Sequence, residues 1–230
     1  MRRGWGDPPP LSFWPPALNA GVDIMDIEVT GILLAGGKSR RMGEDKRYLV
    51  VGEETLLERG LDVLRSVFQE VLVVIAQDSP SLGVEVKVVR DLVPECGSLG
   101  GLYTGLMQAA TPWIFVVACD MPFLNQAVIA QFTSRRASAD IVMAKIAARL
   151  HPMHALYGKH CLPVLEQMIQ ARQLKIQELI SHASLRVEYV TEVDLFTIDP
   201  SGRSFQNVNT PEDLEAARSL LAQIPRPGQT

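Results

Sequence analysis

Short apolar runs of strand length alternate along this chain with longer stretches whose apolar residues recur at helical spacing, and few folds accommodate that alternation. Strand and crossover helix in succession build a parallel-rich sheet with helices on both faces. Strands are predicted at residues 29–34, 71–76, 84–89, 113–118 and 141–144. Between them, Leu56, Leu57, Leu61, Leu64 and Phe68 mark one helix, residues 99–110 a second, and Val128, Ile129 and Phe132 a third. Near the end, Asn209-Thr210-Pro211-Glu212-Asp213 sets a capping residue, read as Asn209, before a first-turn proline and two acids, so a helix is expected over 211–221. The expected fold class is α/β: a three-layer, Rossmann-like, mostly parallel sheet. In such sheets ligands gather at the carboxyl ends of the strands, where helix N-termini present free N–H groups.

At 230 residues, 47% of them hydrophobic, one substantial core is expected, placed at residues 25–223. Residues 1–24 are rich in proline and tryptophan and follow neither apolar period. Arg2 and Arg3 lead into Gly-Trp-Gly-Asp rather than an apolar stretch, so this segment is not expected to be a secretory signal. Two readings stay open: Met25 is the natural start, or the segment is a disordered extension. Residues 224–230 read as a frayed tail. A net charge of −4 argues against nucleic acid and anionic membrane as partners, and no apolar run has the length to span a bilayer. Cys96, Cys119 and Cys161 are odd in number and form no C-x-x-C pair, so neither a disulfide framework nor a zinc site is supported and a reducing cytoplasm fits.

Against that acidic balance, Lys38, Arg40, Arg41, Lys46 and Arg47 crowd the segment that follows the first predicted strand, together with Gly36, Gly37 and Gly43. Glycines let a backbone approach phosphate oxygens closely, and the cations neutralise them. A plain turn with a solvated charged face is the bland alternative. A P-loop is excluded because Gly37-Lys38-Ser39 would need glycine at position 32, which is Ile32, and no G-x-G-x-x-G follows the strand. A second candidate is Asp120, directly after the predicted strand 113–118: a carboxylate there can hold Mg²⁺, or can merely cap the turn before Pro122. Asp91 precedes Gly97, Gly100 and Gly101 in the same type of position.

The run Leu34-Ala35-Gly36-Gly37-Lys38-Ser39-Arg40-Arg41-Met42-Gly43-Glu44-Asp45-Lys46 resembles the signature loop of nucleotidyltransferases, and more narrowly that of the molybdenum cofactor guanylyltransferases. The likeness covers roughly residues 27–221 and continues, in order, at Gly97-Ser98-Leu99-Gly100-Gly101, Cys119-Asp120-Met121-Pro122-Phe123 and Asn207-Val208-Asn209-Thr210-Pro211-Glu212-Asp213. The family usually has proline where Ser98 stands, which implies a less rigid loop here. The resemblance implies transfer of GMP from GTP to the molybdopterin cofactor with release of pyrophosphate, Mg²⁺ as the metal, and molybdoenzyme apoproteins or other cofactor-maturation proteins as further partners. It assigns Arg40, Lys46 and Asp120 to catalysis, and Asp120 also to the metal. Leu34, Ala35, Gly36, Gly37, Lys46, Asp91, Gly100 and Asp120 are assigned to the nucleotide. His151, Asn207 and Asn209 are assigned to the acceptor, without saying which asparagine lies near the metal; Lys175 stands where the family tends to carry arginine. His154, His160 and His182 have no acid or cysteine at a recognisable spacing, and no nucleophile elbow occurs. Two alternatives remain open: a relative using CTP or a sugar phosphate, which Gly37 disfavours, and a nucleotide-binding delivery protein without turnover.

Overall fold

The computed structural model describes residues 28–36 and 45–223. The expectations for the N-terminal segment, for Met25, for Gly37 and Arg40 in the loop, and for the tail 224–230 lie outside the described residues. Among the described residues nine strands and six α-helices follow in order: β1 (Val29–Leu34), β2 (Val50–Val51), β3 (Glu54–Thr55), α1 (Leu56–Val67), β4 (Glu70–Ile75), β5 (Lys87–Arg90), α2 (Gly97–Gln108), β6 (Trp113–Ala118), α3 (Gln126–Thr133), β7 (Ile141–Ile146), β8 (Arg149–Gly158), α4 (Leu162–Gln170), β9 (Val187–Thr191), α5 (Glu192–Leu195) and α6 (Pro211–Ala222). A single 3₁₀ turn at Lys46–Tyr48 precedes the small β2–β3 hairpin.

The main sheet has seven strands in the order β5-β4-β1-β6-β8-β7-β9. All run parallel except β8, which is antiparallel to both neighbours. The central strands alternate between two cores because successive side chains point to opposite faces. Leu33, Val73, Phe115 and Val117 pack with α1, α3 and α6; Ile32, Leu72, Ile114 and Val116 pack with α2 and α4. That is the three-layer arrangement expected. The chain leaves β1 for β4 and β5 on one side and returns through α2 to β6 on the other, so the strand order reverses beside the carboxyl end of β1.

Three expectations need correction. The strand expected over 84–89 is β5, and it pairs only from Lys87 (opposite Leu72), because β5 is an edge strand with β4 as its sole neighbour among the described residues. The strand β8 was not expected: Pro152 breaks its apolar pattern, and a bulge absorbs it, since Met143 faces Ala155 while the next residue, Ala144, faces His151. The cap of α6 is Thr210 rather than Asn209. Its hydroxyl accepts from the Asp213 backbone N–H at 3.2 Å, and the Asp213 carboxylate accepts from Thr210 N at 2.9 Å, a reciprocal capping box.

Candidate active site

The end of β1 is bound into the sheet on both sides. Ala35 N donates to Val74 O at 2.8 Å, and Cys119 N donates to Leu34 O at 3.0 Å, so the loops after β1 and β6 emerge together. Gly36 lies so close to β4 that a Cβ there would stand 2.9 Å from the Ala76 backbone nitrogen, a contact the backbone cannot relieve cheaply. Chain geometry alone therefore requires the first glycine of the motif.

Where the chain becomes described again, Asp45 caps the 3₁₀ turn and Lys46 leaves it toward the end of β6. The Lys46 ammonium donates to Asn209 Oδ1 at 2.9 Å and lies 3.5 Å from Asp120 Oδ2. On the other oxygen of Asp120, Asn207 Nδ2 donates at 2.7 Å, and Val208 N donates to the Asp120 backbone carbonyl at 2.8 Å. The two asparagines thus have distinct partners: Asn207 holds the carboxylate, and Asn209 holds the lysine. Asp213 secures this strap, accepting from Asn209 N at 2.8 Å besides closing the capping box. Its carboxyl is held below the ordinary range first by the Asn209 N–H, with Lys46 contributing. Arg59, paired with Glu54 at 3.0 Å, donates to Pro122 O at 3.2 Å and fixes the loop that follows Asp120.

Beside this cluster opens a cleft of about 480 Å³, with Phe123, Arg149, His151, Asn207, Asn209 and Asp213 in its walls. The three residues expected at the acceptor therefore share one cavity. Burial first, then the neighbouring Arg149, pushes the His151 imidazole below its ordinary pKa, with the Ile146 backbone opposing, which favours the neutral ring. Behind it stand Phe205, with ring centroids 5.1 Å from His151, and His154, 4.6 Å beyond.

Asp91 is held inside its own turn. Its Oδ1 accepts from Val93 N at 3.1 Å and from the buried Thr104 hydroxyl at 3.0 Å. A Cβ on Gly100 would meet Val93 O at 2.8 Å and Asp91 Oδ2 at 2.9 Å, so Gly100 is what lets α2 press against this turn. Lys175 caps a 3₁₀ turn at Ile176–Ser181 and is exposed.

By residue type and position Arg47 belongs with the cations available to a ligand. In the fold its guanidinium turns inward onto Asp45 and is only 7% exposed. Arg59, Arg149 and Asp213 were missed. The spacing Thr210-x-x-Asp213 signalled the capping box, whereas nothing local marks Arg59 or Arg149, whose partners are distant in sequence. Among the described residues no group of three His, Cys, Asp or Glu side chains could hold a metal by itself, and no helix is long and apolar enough to cross a membrane.

A strand-order reversal, Gly36, a lysine and one carboxylate at the end of the adjoining strand mark the ligand-binding switch point of a doubly wound sheet, and the family match makes it that of a nucleotidyltransferase. The MobA-like NTP transferase domain model matches residues 31–187, and the chain belongs to that family. It is similar to a probable molybdenum cofactor guanylyltransferase from Pelotomaculum thermopropionicum, 35% identical over 88% of this chain and 98% of that one. A molybdenum cofactor guanylyltransferase from Desulfosudis oleivorans is 35% identical over 84% of this chain and 96% of its own. The crystal structure of molybdopterin-guanine dinucleotide biosynthesis protein A from Archaeoglobus fulgidus superposes with a TM-score of 0.75 at 26% identity, covering 85% of this chain and all of that one.

Proposed function

We propose that the protein transfers GMP from GTP to the phosphate of the molybdopterin cofactor. A phosphate oxygen of the acceptor attacks the α-phosphorus, the bond from that phosphorus to the bridging oxygen breaks, and pyrophosphate leaves. No protein nucleophile is needed. The two anions must instead be held together and their charge offset, the principal means available in phosphoryl chemistry. The observation that carries this reading is the placement of Asp120, with Lys46 and Asn207 on its two oxygens, at the strand-order reversal.

The donor set fits Mg²⁺. A carboxylate that, among the described residues, belongs to no cluster of three potential ligands suits a small hard cation that takes most of its ligands from substrate phosphates and water. Asp120 would hold it, and the bound ion would neutralise charge on the phosphate oxygens. Asn207 orients the carboxylate, and Lys46 supplies a cation for the triphosphate. Arg149 and the neutral His151 offer a charge and a hydrogen-bonding ring to an anionic acceptor entering the cleft. We assign Leu34, Ala35, Gly36, Asp91 and Gly100 to the walls around the nucleotide, with Gly37 and Arg40 completing the loop. Molybdoenzyme apoproteins or maturation proteins would receive the product.

The test is incubation with GTP, Mg²⁺ and molybdopterin, following pyrophosphate. Release is expected in the wild type and none in Asp120→Ala, whose circular dichroism should match the parent. Turnover with CTP but not GTP would move the protein to a cytidylyl relative. Binding without release would make it a delivery protein.

A further inference from the structure

Lys46 sits on a helical turn too short to sustain itself, since one turn fixes several backbone angles for very few hydrogen bonds. Within it Tyr48 N reaches Asp45 O at 3.1 Å and Leu49 N reaches Lys46 O at 3.2 Å. The turn also packs against α1, with Leu56 N donating to Leu49 O at 3.0 Å, and the residues flanking the lysine add a further hold. Asp45 Oδ1 accepts from the Arg47 backbone N–H at 3.1 Å. The Arg47 Nε donates to both carboxylate oxygens at 2.9 Å, and Nη2 donates to Oδ2. One carboxylate thereby grips both the main chain and the side chain of the residue two positions on.

This arrangement is expensive if stability were its only role. Arg47 is buried although the Asp45 side chain is 37% exposed, and its Nη1 has no hydrogen-bond partner, which leaves a desolvated donor unpaired. The guanidinium turns onto the Asp45 carboxylate. Its central carbon lies 5.7 Å from the ring centre of the half-exposed Tyr48. What the pair does achieve is geometric: it fixes the Cα of Lys46, a residue whose long flexible stem is useful only if its base is held.

We propose that Asp45 and Arg47 are positioning residues, a clamp across Lys46 that delivers its ammonium to the ligand while Arg47 itself touches none. This rests on the reading of Lys46 as the lysine for the triphosphate.

A double-mutant cycle on the full chain tests it, with pyrophosphate release from GTP and molybdopterin as the assay and thermal melts alongside. Lys46→Met should lower kcat/KM for GTP by about 100-fold or more, and Arg47→Met by about 10-fold or more, the scale of a misplaced group in phosphoryl transfer. In the Lys46→Met background, Arg47→Met should change kcat/KM by less than about 2-fold while its shift in melting temperature persists. An equal loss in both backgrounds, or no loss with Lys46 present, overturns the clamp and leaves the guanylyl-transfer reading intact. Full activity in Lys46→Met overturns both. If Arg47→Met does not fold, Asp45→Asn, which keeps a cap oxygen and removes the charge, carries the cycle with the same outcomes.

Discussion

The ammonium of Lys46 lies 3.5 Å from Oδ2 of Asp120, so a cation belonging to the chain already stands beside the carboxylate assigned to the metal. A divalent ion arriving alone meets that charge. A triphosphate arriving with the ion offers the lysine another partner. Metal binding should therefore be weak without nucleotide and strengthen with it. Both side chains are about one-fifth exposed, so the interaction is worth roughly 1 kcal/mol rather than its low-dielectric value. Lys46→Met should tighten Mn²⁺ binding in the absence of GTP by about 3- to 10-fold, read by electron paramagnetic resonance titration. Unchanged affinity would mean that the lysine does not compete with the ion.

Thr210 and Asn209 are adjacent yet perform separable tasks, which substitution should resolve. Thr210→Ala removes the hydroxyl of the capping box and should cost about 1 kcal/mol of stability. Asn209→Ala leaves that box in place and removes the oxygen that accepts from Lys46, so it should lower kcat/KM for GTP with little change in melting temperature. Equal thermal losses in the two variants would return the cap to Asn209.

That division marks where sequence stops informing. The bounds of β1 and β6 follow directly from apolar runs, because each lies inside the sheet with a strand on both sides and buries both faces. The start of α6 was legible because Pro211 can only occupy a first turn. By contrast, β8 carries Pro152, His151 and His154, and β9 is an edge strand of mixed burial; neither shows a clean period. The motifs also nominated Lys46, Asp120 and the two asparagines. Which asparagine holds which partner depends on contacts across 87 and 163 residues of chain, and no spacing rule reaches that far.

Gly100 offers a test of packing against propensity. Alanine is the better helix former by about 1 kcal/mol, so Gly100→Ala would stabilise a helix in isolation. Here the new methyl would press on Val93 O at 2.8 Å and Asp91 Oδ2 at 2.9 Å, and the first of these is backbone. Overpacking of this kind typically costs about 1–3 kcal/mol, so the net effect should be destabilising, with weaker GTP binding as the Asp91 turn is displaced. Denaturant melts and nucleotide titration would measure both. A more stable variant would show that the turn yields freely.

His154 carries a pH signature. Its ring is fully buried among Phe115, Phe132 and Phe205, and neither nitrogen has a hydrogen-bond partner; the Ser204 carbonyl approaches without meeting hydrogen-bond geometry. Burial first, then the nearby His151, pulls its pKa down to about 3. An unfolded chain would protonate the same ring near its ordinary pKa of about 6.5. Between those two values the unfolded state binds the extra proton, so acid draws the equilibrium toward unfolding, by up to about 1.4 kcal/mol per pH unit. Above pH 6.5 the group contributes no slope. His154→Leu, similar in size and free of the ring nitrogens, removes this linkage. Its stability advantage over wild type should therefore be small at pH 8 and should widen steadily as pH falls from 6.5 toward 4, measured by urea melts of both proteins at each pH. A constant difference across that range would mean that the folded protein accommodates the imidazolium, most simply by a shift that brings the Ser204 carbonyl into bonding geometry.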